Sequence, residues 1–158
     1  MLIEQIKVQK MVGAVDDRRK IMKHILKPKK RISNFEIGKK ITKYLNIYEF
    51  EFQKGKDDES WDTYYFFDKE LEAHVDKETF CIESIGCRDN CYYENINLIG
   101  LEFEQFLRII DEKSQEIASE KLWMNDIEQQ TVYDIDNLSL QVWVTDDGLI
   151  DSVYLLNF

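Results

Sequence analysis

The sequence predicts an α+β fold of two similar units, each with one helix and an antiparallel meander, and with the helices on one side of the sheet. Residues 131–153 carry the clearest pattern, because apolar and polar side chains alternate from Leu140 to Thr145 as they do in a half-buried strand. Asp146-Asp147-Gly148 then provides a turn in which glycine can adopt a positive φ. The segment therefore predicts three consecutive strands.

A weaker copy of this segment occurs at residues 63–85, and the pattern extends upstream in both copies. An apolar residue and a glycine, at 37–38 and 99–100, precede apolar residues spaced by four, as on one face of a helix. These matches predict one α+β domain over residues 33–158 with repeat units at 33–86 and 95–158. Chance similarity between two amphipathic segments is the alternative. The aligned strand residues are Leu71, Ala73 and Val75 in one copy and Leu140, Val142 and Val144 in the other.

The net charge of −10 is unevenly distributed along the chain. Residues 1–43 hold 13 Lys and Arg against 4 Asp and Glu, a balance of +9, and the remaining 8 and 27 give residues 44–158 a balance of −19. Residues 1–32 are predicted to form a basic N-terminal arm with a short helix from Arg18 to about Leu26. This arm either contacts a nucleic acid or is a solvated segment that partly neutralises an acidic body. The solvated segment is favoured, because the acidic body would repel a polyanion.

The composition also indicates the cellular compartment in which the protein is expected. The sequence has no run of about 18 apolar residues, so no membrane span is predicted, and its first residues lack the apolar core of a signal peptide. Cys81, Cys87 and Cys91 are an odd number of cysteines, which argues against a disulfide framework. We therefore expect a protein of the reducing cytoplasm.

No residue set predicts catalysis, a metal site or a cofactor. The cysteines lack the closely spaced pair usual in zinc sites, and nothing marks a base with an orienting group for Cys–His catalysis. Carboxylate clusters at 57–59, 134–136 and 146–147 fall in turns or on the outer side of a strand, rather than converging in a pocket. No GxGxxG, P-loop or HExxH motif occurs. We therefore expect neither an enzyme nor a small-molecule substrate.

The outward face of the two meanders is the candidate binding surface. If the apolar strand residues face the helices, aromatic and acidic residues face away, and aromatic anchors with a charged rim are typical of protein interfaces. An acidic face also accelerates capture of a basic partner. Cover by a second layer, such as the N-terminal segment, is the alternative. The predicted partner-binding residues are Asp58, Glu59, Trp61, Tyr64, Phe66, Glu72, His74, Asp134, Asp136 and Trp143.

Two glycine-led helices with meanders, over about residues 35–158, resemble the layout of the tandem-repeat β-lactamase inhibitor protein fold, whose concave sheet grips another protein. The second unit contains Ile-Gly-x-x-x-x-x-Phe-Leu and Leu-x-Leu-x-Val-Trp-Val-x-Asp-Asp-Gly-x-Ile, and is similar to small acidic immunity proteins of competing bacteria. This resemblance implies a cytoplasmic immunity protein that binds and occludes a cognate basic toxin domain, and we expect that domain to be a nuclease. The basic arm at residues 18–31 is not part of either pattern. A nucleic-acid-associated regulator that uses this arm is the alternative.

Overall fold

The computed structural model describes residues 22–112 and 117–157, and in these ranges the chain is mostly β. Two short α-helices accompany the strands in the described ranges. The helices are α1 (Thr42–Leu45) and α2 (Phe103–Ile110). The strands are β1 (Leu26–Lys27), β2 (Arg31–Ile32), β3 (Phe35–Glu36), β4 (Phe50–Gln53), β5 (Trp61–Phe66), β6 (Leu71–Asp76), β7 (Ile82–Cys87), β8 (Tyr92–Tyr93), β9 (Ile96–Asn97), β10 (Ala118–Trp123), β11 (Gln129–Ile135), β12 (Leu140–Thr145) and β13 (Ile150–Leu156).

Eight strands form one antiparallel sheet in the order β10-β11-β12-β13-β7-β6-β5-β4. The sheet consists of two four-stranded meanders, β4–β7 and β10–β13, which meet where β13 pairs with β7. Tyr154 lies opposite Gly86 at this junction. The two meanders therefore share one hydrogen-bonded sheet, and their last strands lie at its centre.

The predicted α+β fold of two helix-plus-meander units is wrong, because one eight-stranded antiparallel sheet dominates the molecule. Helices were expected over residues 36–45 and 102–117, but α1 has 4 residues and α2 has 8. Gly38, with φ +85°, donates its N–H to the Ile82 carbonyl at 2.8 Å, which ties this backbone to β7 before a helix can begin. Asp111 adopts a left-handed conformation directly after α2 and ends it.

The two meanders nevertheless carry matching backbone contacts. Gly100 also has φ +85° and donates its N–H to the Ile150 carbonyl at 2.8 Å, as Gly38 does to Ile82. Gly86 and Tyr154 are 68 residues apart, as are Ile82 and Ile150, so the two residues that face each other at the centre of the sheet hold equivalent positions. The glycine that precedes each helix thus bonds to the last strand of its own meander, β7 for Gly38 and β13 for Gly100.

The hydrophobic core lies on one face of the sheet. The side chains of Phe66, Leu71 and Val142 are buried there, under α1, α2 and the small sheet β1–β3. Phe35 of β3 reaches into this core, where its ring centroid lies 4.6 Å from those of both Phe66 and Tyr44. The small sheet is therefore part of the packed body.

The end of the predicted N-terminal arm is packed in the core. Leu26 and Ile32 are buried in the core, so the end of the predicted arm is built into the fold. The described end of the expected helix, residues 22–26, is not helical: Ile25 forms a bridge with Tyr92, and Leu26 begins β1. The rest of that helix lies outside the described residues.

Candidate partner-binding face

The sheet has a second face, opposite the core, which we call the outer face. Its members follow from the strand register, because residues directly opposite each other in an antiparallel pair point to the same side. None of the three small-sheet strands packs there, since their buried residues belong to the core cluster. The outer face comprises Trp61, Thr63 and Tyr65 of β5, Glu72, His74 and Asp76 of β6, Ser84 and Gly86 of β7, Ser152 and Tyr154 of β13, Gln141, Trp143 and Thr145 of β12, and Gln130, Val132 and Asp134 of β11.

A row of four rings crosses this outer face. The ring centroids of Trp61 and His74 lie 6.0 Å apart, those of His74 and Tyr154 5.9 Å apart, and those of Tyr154 and Trp143 6.3 Å apart. His74 and Tyr154 stand on strands on either side of β7, and their rings stack nearly parallel. They can meet because β7 contributes only small side chains, Gly86 among them, between the two strands.

A buried carboxylate anchors the row. Glu72 is 6% exposed, and its Oε1 accepts hydrogen bonds from Arg88 at 2.7 and 3.0 Å and from the Tyr154 hydroxyl at 3.1 Å. Its Oε2 lies 3.0 Å from His74 Nε2. Because a carboxylate only accepts, His74 donates through Nε2–H, and in neutral His74 the Nδ1 atom accepts from the Ser84 hydroxyl at 2.7 Å. The network fixes both rings at the centre of the sheet.

The network also shifts the pKa of its members. Burial alone would raise the pKa of Glu72, but the hydrogen bonds from His74 and Arg88 and the charge of Arg88 outweigh it and lower this pKa from 4.5 to about 2. Burial, followed by the charge of Glu72, raises the pKa of the Tyr154 hydroxyl. Glu72 is therefore ionised and Tyr154 protonated at neutral pH.

We expect Glu72→Gln to remove a pH-dependent contribution to stability. A carboxyl whose pKa falls from 4.5 to about 2 on folding stabilises the protein above pH 4.5 by on the order of 3 kcal/mol, and this contribution is lost as the pH falls from 4.5 toward 2. Urea unfolding at several pH values measures it. The stability difference between wild type and Glu72→Gln should be largest above pH 4.5 and shrink below it. A difference that stays constant down to pH 2 would contradict the assignment.

Trp143 and Asp134 extend the face toward the other edge. Trp143 Nε1 donates to Gln141 Oε1 at 3.1 Å, and Gln141 Nε2 lies 3.4 Å from Asp134 Oδ1. The indole is thus connected to a carboxylate through one amide. At the opposite end, Trp61 is 38% exposed and lies directly across from Asp76. Each end of the ring row therefore pairs an indole with a nearby carboxylate.

The structure brings five of the ten predicted site residues together on the outer face. They are distributed over β5, β6, β11 and β12, and four of them are at least partly exposed, whereas Glu72 is buried. Strand alternation placed the four residues on β6, β11 and β12, but on β5 it put Tyr64 and Phe66 outward and so did not predict the outward direction of Trp61. The five residues are Trp61, Glu72, His74, Asp134 and Trp143.

The predicted outward orientation of Tyr64 and Phe66 is wrong. Phe66 lies opposite Leu71 and is 1% exposed in the core, while Tyr64 packs against the core beside Phe50 and Phe52. The repeat alignment matched Thr63 to Thr131, but the registers Phe66↔Leu71 and Ile135↔Leu140 show a shift by one residue. In a strand, a shift by one residue exchanges the two faces.

The other three predicted residues lie away from the ring row. Asp58 and Glu59 are in the loop between β4 and β5, where Glu59 Oε1 accepts the Lys56 N–H at 2.8 Å. Asp136 begins a 3₁₀ turn, Asp136–Leu138, that links β11 to β12. All three lie beyond the strands that carry the outer face.

Sequence reasoning missed Arg88 and Tyr154. Both depend on the β7–β13 junction, since Arg88 directly follows β7 and donates to the Tyr154 hydroxyl at 2.8 Å across 66 residues of sequence. Strand alternation on β13 could have placed Tyr154 on the same face as Ser152. No pattern in the sequence around Arg88 identifies it, because its hydrogen-bond partners lie on β6 and β13.

Comparison with protein-family models, with curated proteins and with solved structures found no match to this chain. None of the helices in the described ranges is long and apolar enough to cross a membrane. Within the same ranges, no group of three or more His, Cys, Asp or Glu side chains lies close enough to hold a metal ion, and the three cysteines are free thiols.

Proposed function

We propose that this protein is a cytoplasmic immunity protein that binds and occludes a basic toxin domain, a nuclease. The observation that carries the proposal is the ring row on the outer face, with Trp61 and Trp143 near its ends and a carboxylate beside each. Indole rings held in place by a rigid sheet are the side chains most often dominant in binding energy at protein interfaces.

Charge indicates the class of partner. Residues 44–158, which contribute the whole eight-stranded sheet, hold 8 Lys and Arg against 27 Asp and Glu. Such an excess attracts a cationic surface and raises its association rate, and salt weakens the attraction. A nuclease domain presents cations to bind phosphate, so carboxylates that occupy this site would exclude its substrate. The inhibitor needs no reaction of its own.

The cognate toxin would be encoded beside the gene of this protein. We expect the C-terminal domain of a large adjacent reading frame to arrest growth when expressed alone, and co-expression of this protein to restore growth. Isothermal titration calorimetry of the purified pair should show one-to-one binding that weakens as salt rises. An adjacent gene set without such a domain, or a domain that this protein does not bind, contradicts the proposal.

Trp143→Ala should weaken the complex by about 2 kcal/mol, or roughly 30-fold in dissociation constant, if the indole is a buried anchor. Trp123→Ala is the matched control, because Trp123 is 67% exposed on the edge strand β10 and points away from the outer face. We expect this control to bind as wild type does. Equal affinities of wild type and Trp143→Ala would remove Trp143 from the interface.

A filter-binding titration separates this proposal from a nucleic-acid-associated regulator. The basic stretch from Lys27 to Arg31 covers the end of β1, a tight turn and the start of β2. Affinity for RNA or DNA that falls steeply with salt would favour the regulator. No retention of nucleic acid at moderate salt is the result expected for an inhibitor.

A further inference from the structure

The chain holds a second histidine relay, remote from the ring row. His24 is fully buried just before β1, between the β2–β3 turn, which carries Ser33, and the β5–β6 turn, which carries Glu70. His24 Nδ1 lies 3.0 Å from Ser33 Oγ, and His24 Nε2 lies 2.9 Å from Glu70 Oε1. Side chains from two separate turns therefore converge on one imidazole.

The carboxylate determines how the imidazole is protonated. Glu70 can only accept, so Nε2 of neutral His24 carries the proton and Nδ1 presents its lone pair to the Ser33 hydroxyl. The backbone N–H of His24 donates to Asn90 Oδ1 at 2.8 Å, and the ring lies 5.4 Å from that of Phe67, which together hold the imidazole in place. A serine, a base and an orienting carboxylate in this order are the elements of nucleophilic catalysis.

Ser33 also faces open space. It lines a cavity of about 340 Å³ next to the relay. Cationic and apolar side chains share this lining, a combination that suits a small molecule with an anionic group and an apolar body. The other lining residues are Met22, Lys23, Ile25, Arg31, Asn34, Tyr48 and Phe67. By contrast, Ser84 of the Glu72–His74 relay is 8% exposed and lines neither this cavity nor the second one, beside Lys29 and Asp136.

We propose that Ser33 is a base-activated nucleophile that accepts the acyl group of small esters carrying an anionic substituent. Ser33 Oγ forms a bond to the ester carbonyl carbon while His24 Nδ1 takes the hydroxyl proton. The bond from that carbon to the leaving oxygen then breaks, and this oxygen receives the proton from His24. Water, activated by His24 in the same way, releases the acid and restores the hydroxyl.

The probe is the p-nitrophenyl monoester of succinic acid, with p-nitrophenyl acetate as the uncharged comparison. We expect the folded wild type to release nitrophenolate faster from the anionic ester, and peptide mass spectrometry of a quenched reaction to locate a succinyl group on Ser33. Ser33→Ala should reduce release to the buffer rate. Ser119→Ala, the matched control on the exposed edge strand β10, should leave the rate unchanged.

Glu70→Gln tests the orienting role separately from folding. As a positioning residue, Glu70 should affect the acylation step, so we expect kcat to fall at least tenfold with KM nearly unchanged and the melting temperature preserved. A succinyl group on Ser33 of the wild type supports the proposal even if a variant fails to fold. Wild-type release no faster than that of the urea-unfolded chain, or equal release by Ser33→Ala, overturns it.

Discussion

Replacing Phe35 by alanine should lower the free energy of unfolding by about 3–5 kcal/mol, the usual cost of removing a fully buried aromatic ring. Phe35 is 1% exposed and its ring lies within 5.2 Å, centroid to centroid, of Tyr44, Phe66 and Tyr48. The effect would show that the β1–β3 sheet, which contains the end of the predicted basic arm, is part of the cooperative core. Urea unfolding followed by circular dichroism measures it.

Phe52→Ala provides the control for this experiment. Phe52 is 50% exposed on the edge strand β4, where its ring meets only the partly buried Tyr64 among the described aromatic contacts. We expect its removal to cost less than about 1 kcal/mol. Similar costs for the two variants would show that Phe35 does not pack as described.

Gly86→Ala should destabilise the protein by about 2–3 kcal/mol, because overpacking forces a buried group to move. A Cβ on Gly86 would lie 2.3 Å from Cε2 of Tyr154, whose hydroxyl binds Glu72 and Arg88. Since the ring cannot shift without breaking those bonds, the cost includes part of the network. Equilibrium unfolding of the variant measures the change.

A double-mutant cycle identifies the cause. The three atoms nearest to the added Cβ all belong to the Tyr154 ring, so Gly86→Ala should cost far less in a Tyr154→Ala background than in wild type. The same cost in both backgrounds would contradict a clash with Tyr154.

The second meander was predictable because its strands alternate cleanly. Residues 131–153 contain most of β11, all of β12 and the start of β13, and the final strand pairs with both β12 and β7 at the centre of the sheet. Strand β10 was not predicted, because five of its six side chains are exposed and leave no alternation to detect. The predicted helices were longer than the observed ones. Apolar residues spaced by four do not reveal where the backbone is hydrogen-bonded to a strand instead of forming a helix.

The candidate site was predictable where it depends on a single strand. His74 and Trp143 alternate with buried residues on β6 and β12, so their outward direction could be inferred from local sequence. Phe66 was misplaced because one residue of register in a repeat alignment decides the face. The His24–Ser33–Glu70 cluster could not be inferred, since no spacing pattern joins residues contributed by three separate turns and segments.

The chain contains three tryptophans, at positions 61, 123 and 143, and their indole N–H signals in a ¹⁵N NMR titration test the docking surface most directly. The titrant is the toxin domain encoded beside the gene. Binding on the outer face predicts that the signals of Trp61 and Trp143 shift or broaden as the complex forms, while that of Trp123 stays in place. A titration in which the Trp123 signal moves and the other two do not would show that the partner docks elsewhere.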